Sequence, residues 1–256
     1  MTKDIVCFGD SNTYGFNAFT FGRFDQNTRW TNVAQTRLNE FAAQQGIEDF
    51  KLKNEGMNGR LIDMSILEHS PESDNIFDFY SVCLEKRKPM DLIILMIGTN
   101  NCLTPDKPEK IAEGCEWMVR RALHMDIWKS EPSILLLSPA VIGGDIVGIG
   151  SENQEAVDND GISMIVPKKT IAGELSGLSL NDKDIPDYNA GTMMRSRAIV
   201  PLYRDIAEQY NLHYLDVNEA GVTVSTVDHV HLDETGHLKM AEVITDKLLE
   251  IFRVLK

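Results

Sequence analysis

The chain has 256 residues, 43% of them hydrophobic and 25% charged, with a formal net charge of −14. These are the proportions of a globular protein with ample core, and so acidic a surface repels phosphate backbones and anionic lipid, which argues against nucleic acid or a membrane surface as partner. No apolar run approaches a membrane span, "MTKDIVCFGD" lacks the apolar stretch of a secretory signal, and the four scattered cysteines form no C-x-x-C pair, all of which fits a cytoplasmic protein with reduced core thiols.

In chain order, "DIVCF" (4–8) is a short continuous apolar run, the pattern of a strand buried on both faces. "WTNVAQTRLNEFAAQQG" (30–46) has helical spacing and ends on a glycine. "FKLKNEG" (50–56) alternates as a strand does, and "DNIFDFYSVCLEKRKP" (74–89) reads as a helix. "MDLIILMIG" (90–98) is the strongest strand, followed by a helix over 108–129 and a buried strand, "PSILLLSP" (132–139). A helix over 190–211 carries Pro201, which predicts a kink or a late start. "LHYLDV" (212–217) is a fifth strand, and an amphipathic helix over 234–255 closes the chain. Strands alternating with helices predict a flavodoxin-like, doubly wound parallel sheet of five strands, with the ligand site at the carboxyl ends of the strands. Residues 143–189, rich in Gly, Asp and Asn, break the rhythm as an irregular insertion expected to overhang that edge.

The residues predicted at those strand ends carry the chemistry. After the first strand comes "GDSN" with Ser11, after the second "NEGMNGR" with Gly59, after the third "GTNN" with Asn100, and after the fifth "DHVHLDETGH" with Asp228 and His231. Ser11 alone could be a helix cap. Together the set meets the needs of acyl transfer. A serine hydroxyl needs an imidazole to take its proton, and the imidazole needs a carboxylate to fix its tautomer. The developing oxyanion needs donors, which the Ser11 and Gly59 N–H groups and the Asn100 amide could supply. His229 is a second candidate base beside His231, and His237 falls in the first turn of the last helix.

The blocks "FGDSNTYG", "NEGMNGR", "GTN" and "DHVH" stand in the order seen in the SGNH (GDSL-type) hydrolases, which the chain resembles over almost its whole length. The usual leucine after the serine is replaced by Asn12, and Asn101 stands where many members have aspartate. The resemblance implies a single domain over 1–256 with a three-layer α/β/α sandwich, and it implies roles. Ser11 would be nucleophile and first oxyanion donor, Gly59 and Asn100 the other donors, His231 the base and Asp228 its partner. "CFGDSNTYGF", Arg29–Trp30 and the Arg60 that ends "EGMNGR" look closest to the intracellular short-chain aryl esterase and acyltransferase branch. That likeness implies a homo-oligomer acting without cofactor on a small-molecule ester, with possible transfer to an alcohol. Asp10, Asn12, Tyr14, Trp30, Met57 and Arg60 are the expected substrate contacts.

Alternatives stay open at this stage. A carbohydrate deacetylase would use the same residues. A metal-dependent hydrolase could draw on the Asp and His side chains of 228–237. A non-catalytic protein could hold phosphate at the helix start after "GDSN".

Overall fold

The computed structural model describes residues 2–73, 78–143, 153–157, 163–167 and 185–252. Strand β1 (Lys3–Gly9) leads into a four-residue helix α1 (Ser11–Tyr14), followed by the two-residue strands β2 (Phe16–Asn17) and β3 (Gly22–Arg23), which pair as a small hairpin. Helix α2 (Trp30–Gln45) and strand β4 (Phe50–Gly56) complete the first crossover. Then come α3 (Phe79–Arg87), β5 (Leu92–Met96), α4 (Pro108–His124) and β6 (Ile134–Ser138). A second hairpin, β7 (Asn153–Val157) with β8 (Ser163–Pro167), precedes α5 (Ile185–Gln209), β9 (His213–Asp216) and α6 (Glu234–Ile251).

The main sheet has five strands in the order β4-β1-β5-β6-β9, every neighbouring pair parallel. It is the doubly wound sheet expected from the sequence. The pleat sorts β1 into two cores. Ile5 and Cys7 face α2 and α6 with Leu92, Ile94 and Leu135, while Val6 and Phe8 face α3, α4 and α5 with Ile93, Leu95 and Leu136. Because both faces are covered, β5 and β6 are buried at every position, which is why they read as continuous apolar runs. All four cysteines are buried and free. Among the described residues, no helix is long and apolar enough to cross a membrane.

Several boundaries differ from the sequence reading for local reasons. Helix α4 stops at His124, where Met125 turns extended and its N–H caps the carbonyls of Arg121 and Ala122; the following "MDIWK" instead forms a bridge between Trp128 and Met90. Helix α5 begins at Ile185 and continues through Pro201. The predicted irregular stretch 143–189 therefore contains a hairpin and the first turn of α5, and its other residues beyond Gly143 lie outside the described ones. The helix expected over 74–89 is described only from Phe79, residues 74–77 lying outside, as do 253–256 at the end of the predicted last helix.

Candidate active site

Asp10 closes the turn out of β1. It is fully buried and caps α1, accepting from the Asn12 N–H at 2.9 Å. Burial pushes its carboxyl pKa up, opposed by the hydrogen bond it accepts from the Asn12 N–H. The cap fixes Ser11 as the first residue of α1, where a backbone N–H has no intrahelical partner. Ser11 Oγ lies 2.9 Å from His231 Nε2, and His231 Nδ1 lies 2.6 Å from Asp228 Oδ2. An ionised carboxylate can only accept, so Nδ1 carries the imidazole proton and Nε2 presents its lone pair to the serine hydroxyl. Burial alone would raise the Asp228 pKa; the hydrogen bond from His231 and those from the Val230 and His231 N–H groups, each 3.0 Å, outweigh it and hold the carboxyl below its usual range. The Phe16 ring packs against the imidazole at 4.5 Å between centroids.

The loop after β4 is tied to the same edge. Residues 57–60 form a turn closed by the Arg60 N–H on the Met57 carbonyl, with Gly59 third at φ +68, the left-handed conformation that favours glycine. A Cβ at Gly59 would meet nothing within 4 Å, so this backbone faces open space. The Gly9 carbonyl, two residues before Ser11, accepts from the Met57 N–H at 3.2 Å and from Arg60 Nη1 at 2.7 Å. Asn100 Nδ2 donates to the Arg60 carbonyl at 3.0 Å with one of its two hydrogens. The next residue, Asn101, is buried and bridges to Ile62 in both directions, at 2.8 and 3.0 Å. Thus β1, the Gly59 turn and the Asn100 turn are locked together by backbone carbonyls and amides.

The six expected substrate contacts divide. Trp30 is 1% exposed, turns into the core as the first residue of α2, and donates its indole N–H to the Asn12 carbonyl at 3.0 Å. Asn12 is buried too: its Nδ2 donates to the Val230 carbonyl at 3.2 Å and its Oδ1 accepts from the Leu232 N–H at 2.9 Å, so it clasps the two residues that flank His231. With Asp10 committed to its cap, these three side chains turn inward and position the site. Tyr14 is buried beneath the Arg23 guanidinium, 4.2 Å from its ring. Arg60 is buried, bonded to the Gly9 and Glu55 carbonyls and stacked on the Phe8 ring. Met57 is exposed beside Gly59. The positioning roles of Asn12 and Asn101 escaped the sequence reading; the available signal was an amide inside an otherwise apolar, tightly turning segment.

The 228–237 cluster does not converge. His229 has φ +60 and turns towards Gly143, while His237 is fully buried with neither ring nitrogen bonded and the Phe24 ring 5.1 Å away. Among the described residues, no three His, Cys, Asp or Glu side chains gather to hold a metal ion.

Comparison with known proteins gives the family and the fold. The sequence matches the GDSL-like lipase/acylhydrolase family over residues 5–244, and the chain belongs to that family of carboxylic ester hydrolases. No curated protein sequence matches it. Among solved structures, a carbohydrate acetylesterase family member from Sinorhizobium meliloti superposes with a TM-score of 0.65 at 22% identity, over 97% of this chain and 98% of that one. The aryl esterase of M. smegmatis gives 0.63 at 21% identity, over 97% and 99%. A member of the lipolytic G-D-S-L family from Veillonella parvula gives 0.51 at 16% identity, over the full length of both. At these identities the likeness shows the shared fold.

Proposed function

We propose that the protein is a serine esterase that works through an acyl-enzyme on small carboxylic esters. The observation that carries this reading is the unbroken relay from Ser11 Oγ through the His231 imidazole to Asp228, at 2.9 and 2.6 Å. Ser11 Oγ attacks the ester carbonyl as His231 Nε2 takes its proton, and Asp228 stabilises the imidazolium. The oxyanion is held by the Ser11 and Gly59 N–H groups and by the second hydrogen of the Asn100 amide. As the intermediate collapses, the C–O bond to the alcohol breaks and His231 returns the proton to the leaving oxygen. Water, deprotonated by the same imidazole, then attacks the acyl-serine, releasing the acid and restoring the hydroxyl. An alcohol can take the place of water in that second step, so acyl transfer needs no further residue.

A direct test is inhibition by a p-nitrophenyl alkylphosphonate followed by peptide mass analysis. One phosphonyl group on the peptide containing Ser11, with release of one equivalent of p-nitrophenol, is expected. Full activity after prolonged exposure, or label on another residue, would overturn the assignment.

A further inference from the structure

On the α3–α4 side of the sheet, a cavity of about 460 Å³ opens beside the Gly59 turn, within the size range of small-molecule sites. Its floor is apolar: Phe8, Tyr80, Trp117 and Met118, all buried. Its rim is mixed: Asp63, Ser65 and His69 are exposed there beside a group of apolar side chains. Eight large hydrophobic side chains are exposed among the described residues, and three of them, Met57, Leu61 and Phe79, line this one cavity. Val82 is a fourth, one helical turn beyond Phe79. Solvent-facing apolar side chains gathered round an apolar hollow mark a binding surface.

The geometry points to this cavity as the subsite for the acyl group of the ester, taking neutral, apolar acyl chains longer than acetyl. The inference rests on the esterase reading above. Its occupant follows from two facts about the walls. Gly59, whose N–H would hold the oxyanion, is itself part of the lining, while Ser11 and Asn100 lie outside it, so the cavity adjoins the oxyanion position from the Gly59 side. The leaving oxygen must face His231 Nε2 to receive its proton, and no residue of the 225–233 segment lines the cavity. The alcohol portion therefore lies on the His231 side and the acyl portion on the Gly59 side.

The charges at the walls select against an acidic tail. Asp63 and Asp78, which cap the turns that follow them, both line the cavity. The one guanidinium present, that of Arg60, is already bonded to the Gly9 and Glu55 carbonyls and lies over the Phe8 and Phe79 rings, so it offers an apolar-backed wall in place of an anion clamp.

The test compares kcat/KM for p-nitrophenyl acetate, butanoate and hexanoate in the wild type, Ser65→Trp and Phe79→Ala. Ser65 is an exposed lining residue whose replacement by tryptophan fills the hollow, and Phe79 is an exposed rim residue. The wild type is expected to gain about fourfold per added methylene, the transfer value of a buried CH₂, until the cavity is full. In Ser65→Trp the hexanoate-to-acetate ratio should fall at least tenfold, and in Phe79→Ala about threefold or more. Thermal unfolding of each variant identifies any that fails to fold, the other then deciding. Ratios within twofold of wild type in the folded variants, or no gain with chain length in the wild type, would overturn the acyl subsite while leaving the esterase reading intact. Absence of turnover of all three esters by the wild type would instead overturn that reading, and the subsite with it.

Discussion

Replacing Asn12 by leucine, the residue usual after the serine in the family, should damage this chain. Asn12 is 3% exposed, and its amide joins the Val230 carbonyl and the Leu232 N–H, the backbone groups on either side of His231. Both partner residues are buried, so removing the amide leaves two dry polar groups without partners. Each costs about 1–3 kcal/mol, and burying the leucine returns about 1.5–3 kcal/mol. The net loss is about 2 kcal/mol, a large fraction of the ~5–15 kcal/mol that holds a typical domain folded. Urea unfolding at pH 7.5 reads that loss directly. The same change releases the loop that carries the imidazole, and a displacement of about 1 Å can cost about a hundredfold in rate. We expect kcat for p-nitrophenyl acetate to fall at least tenfold while KM stays within threefold. A leucine variant that unfolds with the wild type and keeps kcat within twofold would show that the His231 loop is held by something other than Asn12.

Two further outcomes follow from the same geometry. His237 is buried without a hydrogen bond, and that burial, aided by the nearby charges of His231 and Arg29, holds its pKa down to about 3. The folded state thus binds fewer protons than the unfolded chain between pH 3 and the ordinary value of 6.5, so stability is full above 6.5 and is lost as pH falls. Between pH 7 and 5 the wild type should lose about 2 kcal/mol more than His237→Leu, as measured by urea unfolding at both pH values; equal losses would place the imidazole in contact with water. Asn100→Ala removes a proposed oxyanion donor together with the hydrogen bond to the Arg60 carbonyl, and should lower kcat about a hundredfold or more at a cost of about 1 kcal/mol in stability; near-wild-type turnover would remove Asn100 from the oxyanion hole.

The sheet was legible because burial on both faces leaves a plain signature: "LIILM" and "ILLLS" have no polar side to hide. Helix α2 was legible from its apolar spacing and from Gly46, which ends it at φ 64. The candidate site was legible from residue types standing at successive strand ends. What escaped was short or tertiary. Helix α1 spans only Ser11–Tyr14, too few residues to show a period. The start of α5 was readable in principle, since Pro186 follows its first residue, a favoured place for proline. The burial of Trp30 depends on an N–H bond to the Asn12 carbonyl, and the clasp of Asn12 joins segments 218 and 220 residues apart. No local pattern encodes such contacts. An aromatic residue beside a motif therefore looked like a substrate contact when it is part of the core.

The decisive measurement is turnover of p-nitrophenyl acetate by the purified wild type and by Ser11→Ala, each with and without a chelator. Ser11 Oγ is the only nucleophile in the relay to His231 and Asp228, so the alanine variant should lose at least a thousandfold in kcat, with the chelator changing neither protein. Turnover that survives in Ser11→Ala, or that the chelator abolishes in the wild type, would contradict the serine mechanism and leave Ser11 as the first residue of a short helix.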